Sequence, residues 1–254
     1  MRNDRFENFN RQRDIPASYS DLIQAFGTNQ QAAQNWYNRD EPIEQRAESF
    51  DGLDYVATYN DLIGAYAPAG SLKAVQDAGA SHYISDGSSE GRTTTFNGLD
   101  YIASYGDLIK AFGADNDAGA YHYIEQGHSE GRTTTFDGLD YIASYPDLMR
   151  AFGANEQAVA AHYIDHGYGE GRSTTFDGLD YIASYTDLMS AFGANSDAGA
   201  AHYIDDGYYE GRNKRFNVAA YEQAHPDLNG KFASDDAFLA AYINNYTQTG
   251  TLLT

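Results

Sequence analysis

Several residue types and patterns are missing from this chain of 254 residues, and each absence excludes a class of protein. Cysteine is absent, which excludes disulfides, thiolate metal sites and cysteine nucleophiles. No apolar run approaches the roughly 18 residues that a membrane-spanning helix requires, so we expect no membrane insertion. Residues 1–14 lack the apolar stretch of a standard N-terminal signal peptide.

Basic residues are scarce: 16 lysines and arginines stand against 37 aspartates and glutamates, a net charge of −21. A polyanion repels phosphates, so we expect no nucleic acid partner and no attraction to anionic membranes. Hydrophobic residues make up 42% of the chain, which is enough to bury a core. This composition fits an extracellular or cell-surface protein. The polar, then weakly apolar tail of residues 244–254 is compatible with a type I secretion signal.

Catalytic signatures are also missing. The chain has no Gly-x-Ser-x-Gly elbow, phosphate-binding P-loop, His-Glu-x-x-His motif or dinucleotide fingerprint. It has no Asp-x-Asp-x-Asp-Gly calcium loop either, although weak calcium binding by scattered carboxylates stays open. We therefore predict a chain that is not an enzyme, with no catalytic residue and no cofactor.

What the chain does have is an internal repeat of about 40 residues. The copies that begin at Phe136 and Phe176 share 30 of 40 positions. We divide the chain into a tail (1–14), a degenerate capping copy 1 (15–49), copy 2 with an insertion around Pro68–Lys73 (50–95), copy 3 (96–135), copy 4 (136–175), copy 5 (176–215) and a C-terminal capping copy 6 (216–254). Divergent end copies are typical of an array, because one face meets water instead of a neighbour.

Apolar spacing within a copy favours helices. In copy 4, leucine, isoleucine, methionine and aromatic residues recur at helical period from Leu139 to Phe152, and Gly153 and Gly167 suit helix ends. Asn155 suits a helix N-cap, and Ala158, Ala161, Tyr163 and Ile164 are expected to face inward. We predict two to three short helices per copy and an all-α superhelical tandem-repeat array.

A β-hairpin is the alternative. Thr133–Phe136 followed by Asp137-Gly138 and an apolar run could form a hairpin with a tight turn, and a propeller blade also has a period near 40 residues. Copy 6 replaces the Asp-Gly pair with helix formers from Asn217 onward, which favours the helix.

The motif Asp-Tyr-Ile-Ala-Ser-Tyr-Pro-Asp-Leu, then Ala-Phe-Gly, His-Tyr-Ile and Gly-x-x-Glu-Gly-Arg resembles a tandem repeat of large bacterial secreted or surface proteins. Some of those proteins carry RTX-type calcium-binding segments, and similar repeats accompany some polysaccharide-related glycosyltransferases. The resemblance covers roughly residues 14–246 and implies a bacterial surface role. The RTX nonapeptide is absent here, so its calcium roll is not implied.

Each Glu-Gly-Arg element ends in a periodic arginine, which we interpret as an internal clamp, because the guanidinium fork suits a carboxylate. The candidate partners are Asp107, Asp147 and Asp187, or alternatively Asp100, Asp140 and Asp180. The clamping arginines are Arg92, Arg132, Arg172 and Arg212.

One repeat position carries His82, His122, His162 and His202, which we expect to bond a backbone carbonyl or the Glu-Gly-Arg loop. His162 and His166 have the i,i+4 spacing that can hold zinc or copper, and Asp206 stands in the same relation to His202. The metal candidates are therefore His162, His166, His202 and Asp206.

The chain has 22 tyrosines, and those at fixed repeat positions are expected in the core. Tyrosines at copy edges are the candidates for ligand contacts: Tyr121, Tyr168, Tyr208 and Tyr209.

Near-identical copies without a unique polar cluster predict a non-enzymatic structural or interaction module that presents an acidic face to a protein or polysaccharide at the cell surface. A carbohydrate-binding module, with or without calcium, and a histidine-based metal binder are the alternatives.

Overall fold

The computed structural model describes residues 15–29 and 49–253, together with Ala32, Asn35, Trp36 and Arg39. The tail of residues 1–14 and much of the second half of copy 1 lie outside the described residues. The chain divides into two compact units, Met1–Thr135 and Phe136–Thr254, and the division falls between copies 3 and 4.

Unit 1 contains copies 1 to 3. Its described α-helices are α1 (Ile15–Ser18), α2 (Ser20–Phe26), α3 (Gly52–Thr58), α4 (Asn60–Tyr66), α5 (Leu72–His82), α6 (Ser88–Glu90), α7 (Gly98–Ala103), α8 (Gly106–Phe112) and α9 (Asn116–His122). The insertion in copy 2 forms a short 3₁₀ turn, Ala67–Ala69, and lengthens the start of α5.

Unit 2 contains copies 4 to 6. Its helices are α10 (Gly138–Ala143), α11 (Pro146–Phe152), α12 (Glu156–His162), α13 (Gly178–Ala183), α14 (Thr186–Phe192), α15 (Ser196–His202), α16 (Val218–Ala224) and α17 (Asp235–Thr249). Each of copies 2 to 5 therefore has three main helices, and the third continues into one π-helical turn: Tyr83–Gly87, Tyr123–Gly127, Tyr163–Gly167 and Tyr203–Gly207.

The fold is an all-α repeat, and the described residues contain no β-strand, so the hairpin and propeller alternatives are wrong. The Asp-Gly pair that suggested a turn begins a helix instead. The Asp137 carboxylate accepts a hydrogen bond from the backbone N–H of Asp140, and Gly138 is the first residue of α10. An aspartate N-cap satisfies a backbone donor that the first helical turn leaves free.

Two details of the predicted copy 4 helices are wrong. Asn155 precedes α12, but its side chain makes no capping hydrogen bond, although the equivalent Asp115 and Asn195 do cap their helices. Ala158 is exposed, and the buried positions of α12 are Val159 and Ala160 instead. Gly153 does end α11, with a φ of 54° that favours glycine.

Glycine permits close helix crossing inside a copy. A Cβ atom on Gly98, at the start of α7, would overlap the carbonyl oxygen of Asn116 on α9. A Cβ on Gly119 of α9 would in turn lie 2.5 Å from the carbonyl oxygen of Gly98. The first and third helices of the copy thus meet backbone to backbone, a contact that any larger residue would separate.

The π-helical turn fits around a buried tyrosine. In copy 4 the backbone N–H of Tyr168 bonds the carbonyl of Tyr163 at 2.8 Å, a five-residue step. Gly167 ends this turn directly beside the hydroxyl of Tyr141, which is completely buried, and a Cβ there would overlap that oxygen. The extra residue of the π turn therefore brings a glycine over the tyrosine.

Within each unit, the first helix of one copy packs against the last helix of the next. In unit 1, α3 packs on α9, and Leu53 and Val56 share a buried cluster with Ala120 and Ile124. In unit 2, α10 packs on α15 and α13 packs on α17, and buried aliphatic side chains again lie in the clusters that these helices share. Each copy thus completes the core of its predecessor in that unit.

Among the described residues, no helix combines the length and the hydrophobicity needed to cross a membrane.

Candidate functional site

The Glu-Gly-Arg arginines all make the same three contacts. In copy 3 the Arg132 guanidinium donates through Nε to Glu130 at 2.7 Å and through Nη1 to Asp107 at 2.9 Å. Its Cζ also lies 4.9 Å from the ring centroid of Tyr105. Arg92, Arg172 and Arg212 repeat the arrangement with Asp61, Asp147 and Asp187. The alternative partners Asp100, Asp140 and Asp180 make none of these ion pairs.

In these clamps the arginine lowers the pKa of the aspartate that it binds. The hydrogen bond from Arg132 lowers the pKa of Asp107, and the bond from Arg212 lowers the pKa of Asp187 in the same way. Both aspartates are about 60% exposed, so the clamp is a surface feature that water screens. Within each copy, the two carboxylates occupy two nitrogens of the arginine guanidinium.

The tyrosine beneath each arginine also binds the extended segment that leads to the next copy. The Tyr105 hydroxyl donates to the carbonyl of Thr133 at 2.8 Å and accepts from the backbone N–H of Thr133 at 2.9 Å. Tyr145 holds Ser173 with the same pair of bonds. These bonds satisfy backbone groups that lack a helix or a sheet partner.

A hydroxyl residue at the end of the first helix holds the same segment, a role that the sequence analysis missed. Ser144 Oγ donates to the carbonyl of Asp140 and accepts from the backbone N–H groups of Thr175 and Phe176, at 2.8 and 2.9 Å. The detectable signal was a hydroxyl residue at this position of every copy from 1 to 5: Ser18, Thr58, Ser104, Ser144 and Ser184.

Three of the four repeated histidines bond tyrosine hydroxyls, so the predicted carbonyl or loop partner is wrong for these three. Nδ1 of His82, His122 and His202 lies 3.0 Å from the hydroxyl oxygen of a buried tyrosine in its own copy. Burial lowers the pKa of His122. Three of the four histidines are thereby used in internal hydrogen bonds.

Aspartates of the Gly-Leu-Asp-Tyr element lie where copies meet. Asp140 is 9% exposed, and its Oδ1 accepts from the backbone N–H of Gly178 in copy 5, at 3.1 Å. In unit 1, Asp54 bonds Gly98 in the same way and also accepts from the Asn116 amide at 3.1 Å. These carboxyls join the first helices of neighbouring copies.

The charge balance differs between the two junctions of unit 2. Burial and the charges of Asp137, Asp177 and other carboxylates raise the pKa of Asp140 to about 8. At the next junction Lys214 Nζ lies 3.0 Å from Asp180, and this ion pair opposes the effect of burial on the pKa of Asp180. At the Asp140 junction the position equivalent to Lys214 is held by the uncharged Thr174.

The tyrosines predicted at copy edges are not equally accessible. Tyr209 is 65% exposed, whereas Tyr121, Tyr168 and Tyr208 are half-buried. Tyr121 packs against the core of unit 1. Tyr208 and Tyr209 lie side by side, with ring centroids 5.3 Å apart. Only this last pair forms a joined aromatic surface in which one ring is widely exposed.

The metal candidates fall into two pairs. The ring centroids of His162 and His166 are 5.5 Å apart. In copy 5 His202 bonds Tyr181, and Asp206 is exposed. Within the described part of the chain, no group of three or more histidine, aspartate or glutamate side chains is arranged to hold a metal ion.

Comparison of the chain with models of protein families, with characterised proteins and with solved structures found no match.

Proposed function

We propose that this chain is a non-enzymatic interaction module of a bacterial secreted or surface protein, and that it presents carboxylates to a cationic partner. The observation that carries the proposal is that most of the repeated polar side chains are used in internal contacts. The repeated arginines, tyrosines, serines and most of the repeated histidines bond one another or the backbone inside a copy. These bonds leave few of the repeated donors and acceptors free for a ligand.

Among the described residues, the exposed charged positions are mainly acidic. The solvent-facing side of each π-helical turn carries one or two carboxylates: Asp86, Glu125, Asp165, Asp205 and Asp206. Each belongs to a hydrogen-bonded helical turn, which sets its backbone position within its unit. Fixed negative charges attract a basic protein segment and speed its association, and salt screens that attraction.

The experiment is a binding measurement of the full chain against bacterial cell-wall and outer-membrane protein fractions, at 50 and 500 mM NaCl. The variant in which Asp165, Asp205 and Asp206 are changed to asparagine removes charge from unit 2 without touching any clamp. We expect it to bind at least tenfold more weakly at low salt. Equal binding by the parent chain and the variant would contradict the proposal.

Carbohydrate binding is the second candidate, and the exposed Tyr209 ring beside Tyr208 favours it. Aromatic faces stack on sugar rings, and the exposed Tyr209 ring offers such a face. A glycan array probed with the parent chain and with Tyr209→Ala, with and without calcium, tests this alternative. A signal that Tyr209→Ala abolishes would favour it, whereas a flat array in both conditions would remove it.

A further inference from the structure

Copy 4 differs from its neighbours in the hydrogen bond between the buried tyrosine and the histidine. Copies 2, 3 and 5 close this bond at 3.0 Å. In copy 4 the hydroxyl of Tyr141 and Nδ1 of His162 are both buried, and neither has a hydrogen-bond partner. Their rings are 6.4 Å apart, against 5.9 Å in those three copies. A buried polar atom without a partner is costly and calls for an explanation.

The same copy carries a second histidine one helical turn further on. His166 is exposed, and the equivalent positions of the other copies hold Asp86, Gln126 and Asp206. The histidine that has lost its tyrosine bond is therefore the one beside another imidazole.

The separation of the two rings fits a shared ion. Two imidazoles that coordinate one ion have ring centroids about 4.5–5.3 Å apart, because each metal–nitrogen bond is about 2.1 Å long and the bonds diverge by about 90° in a tetragonal copper or nickel site and about 109° in a tetrahedral zinc site. The observed separation of 5.5 Å is close to the upper end of this range. We propose that His162 and His166 form a two-histidine site for a divalent transition-metal ion.

The orphaned groups complete this arrangement. When Nε2 of His162 takes the metal, Nδ1 carries the proton, and a shift of the ring from 6.4 Å towards the 5.9 Å of copies 2, 3 and 5 lets Nδ1 donate a hydrogen bond to the Tyr141 hydroxyl. A hydrogen bond from the second ring nitrogen orients most metal-binding histidines. Water fills the remaining positions on the ion, and imidazole ligands favour Cu²⁺ over Ni²⁺ and Zn²⁺.

The test is calorimetric titration of the full chain with CuCl₂ and with NiCl₂ at pH 7.5, in a non-coordinating buffer. The parent chain is compared with His166→Gln, which installs the residue that copy 3 carries at this exposed position. The matched control is His128→Gln, because His128 lies in unit 1 and bonds Asn60. The electron paramagnetic resonance spectrum of the copper complex reports the number of nitrogen ligands.

We expect one saturable ion per chain, with two nitrogens in the copper spectrum, and the same affinity in the His128→Gln control. His166→Gln should weaken binding at least tenfold and leave the melting temperature of the metal-free chain unchanged. Binding by His166→Gln within threefold of the parent chain would overturn the proposal, as would a parent chain with no saturable binding. A copper spectrum with a single nitrogen ligand would overturn it too.

Discussion

Replacement of Asp140 by asparagine should stabilise the protein in alkaline solution. Asparagine has the same shape, and its amide oxygen can still accept the hydrogen bond from Gly178. It removes the charge that Asp140 must carry at high pH among Asp137 and Asp177. The perturbation therefore separates the charge of the group from its hydrogen bond.

The size of the effect follows from linkage between proton binding and folding. The pKa of Asp140 rises from 3.8 in the unfolded chain to about 8 in the folded one. The stability contributed by this group is therefore full below pH 3.8 and is lost as the pH rises towards 8. At about 1.4 kcal/mol per pH unit, the loss between pH 5 and pH 8 has an upper bound of roughly 4 kcal/mol.

The assay is urea unfolding followed by circular dichroism at pH 5, 7 and 9. Asp140→Asn should gain about 2–4 kcal/mol on the parent chain at pH 9 and much less at pH 5. Asp180→Asn is the control, because Lys214 opposes the effect of burial on the pKa of that carboxylate, and it should gain clearly less than Asp140→Asn at pH 9. Parallel pH profiles for the parent chain and Asp140→Asn would refute the reasoning.

Three further substitutions test the internal contacts of copy 4. Arg172→Ala should lower the melting temperature, whereas alanine at the exposed Arg150 should not, and an unchanged melt with lost ligand binding would instead make Arg172 a binding residue. Ser144→Ala should cost about 1–3 kcal/mol in denaturant unfolding, because two backbone N–H groups lose their acceptor; a cost near zero would mean that water replaces it. Gly167→Ala should cost about 1–3 kcal/mol, since its Cβ would overlap the Tyr141 hydroxyl, and a neutral result would show that the π turn adapts.

Repetition made the helical architecture predictable. Periodic apolar residues and end glycines such as Gly153 are local signals, and the helices follow them. The Asp-Gly pair was ambiguous because the same two residues suit a tight turn and a helix N-terminus. The replacement of this pair in copy 6 favours the helix, and the packing of α10 on α12 and α15 confirms it.

The contacts that define the site were less accessible from sequence, because they join residues that lie far apart along the chain. Ser144 reaches a segment 31 residues away, and the Tyr141 ring meets the π turn through Gly167. No residue pattern distinguishes a π-helical turn from an α-helical one, so the sequence indicated only that Gly167 ends a helix. The buried charge at Asp140 depends on the next copy, which one repeat alone does not reveal.

The most direct test of the central claim, that copies hold one another folded through their stacked helices, compares a single copy with a complete unit. The peptide of residues 136–175 and the fragment of residues 136–254 are both measured by far-ultraviolet circular dichroism during thermal unfolding. The account predicts a helical fragment that melts cooperatively and a peptide without a stable fold, because one copy is too small to bury its own apolar surface. A single-copy peptide that is helical and melts cooperatively would contradict it.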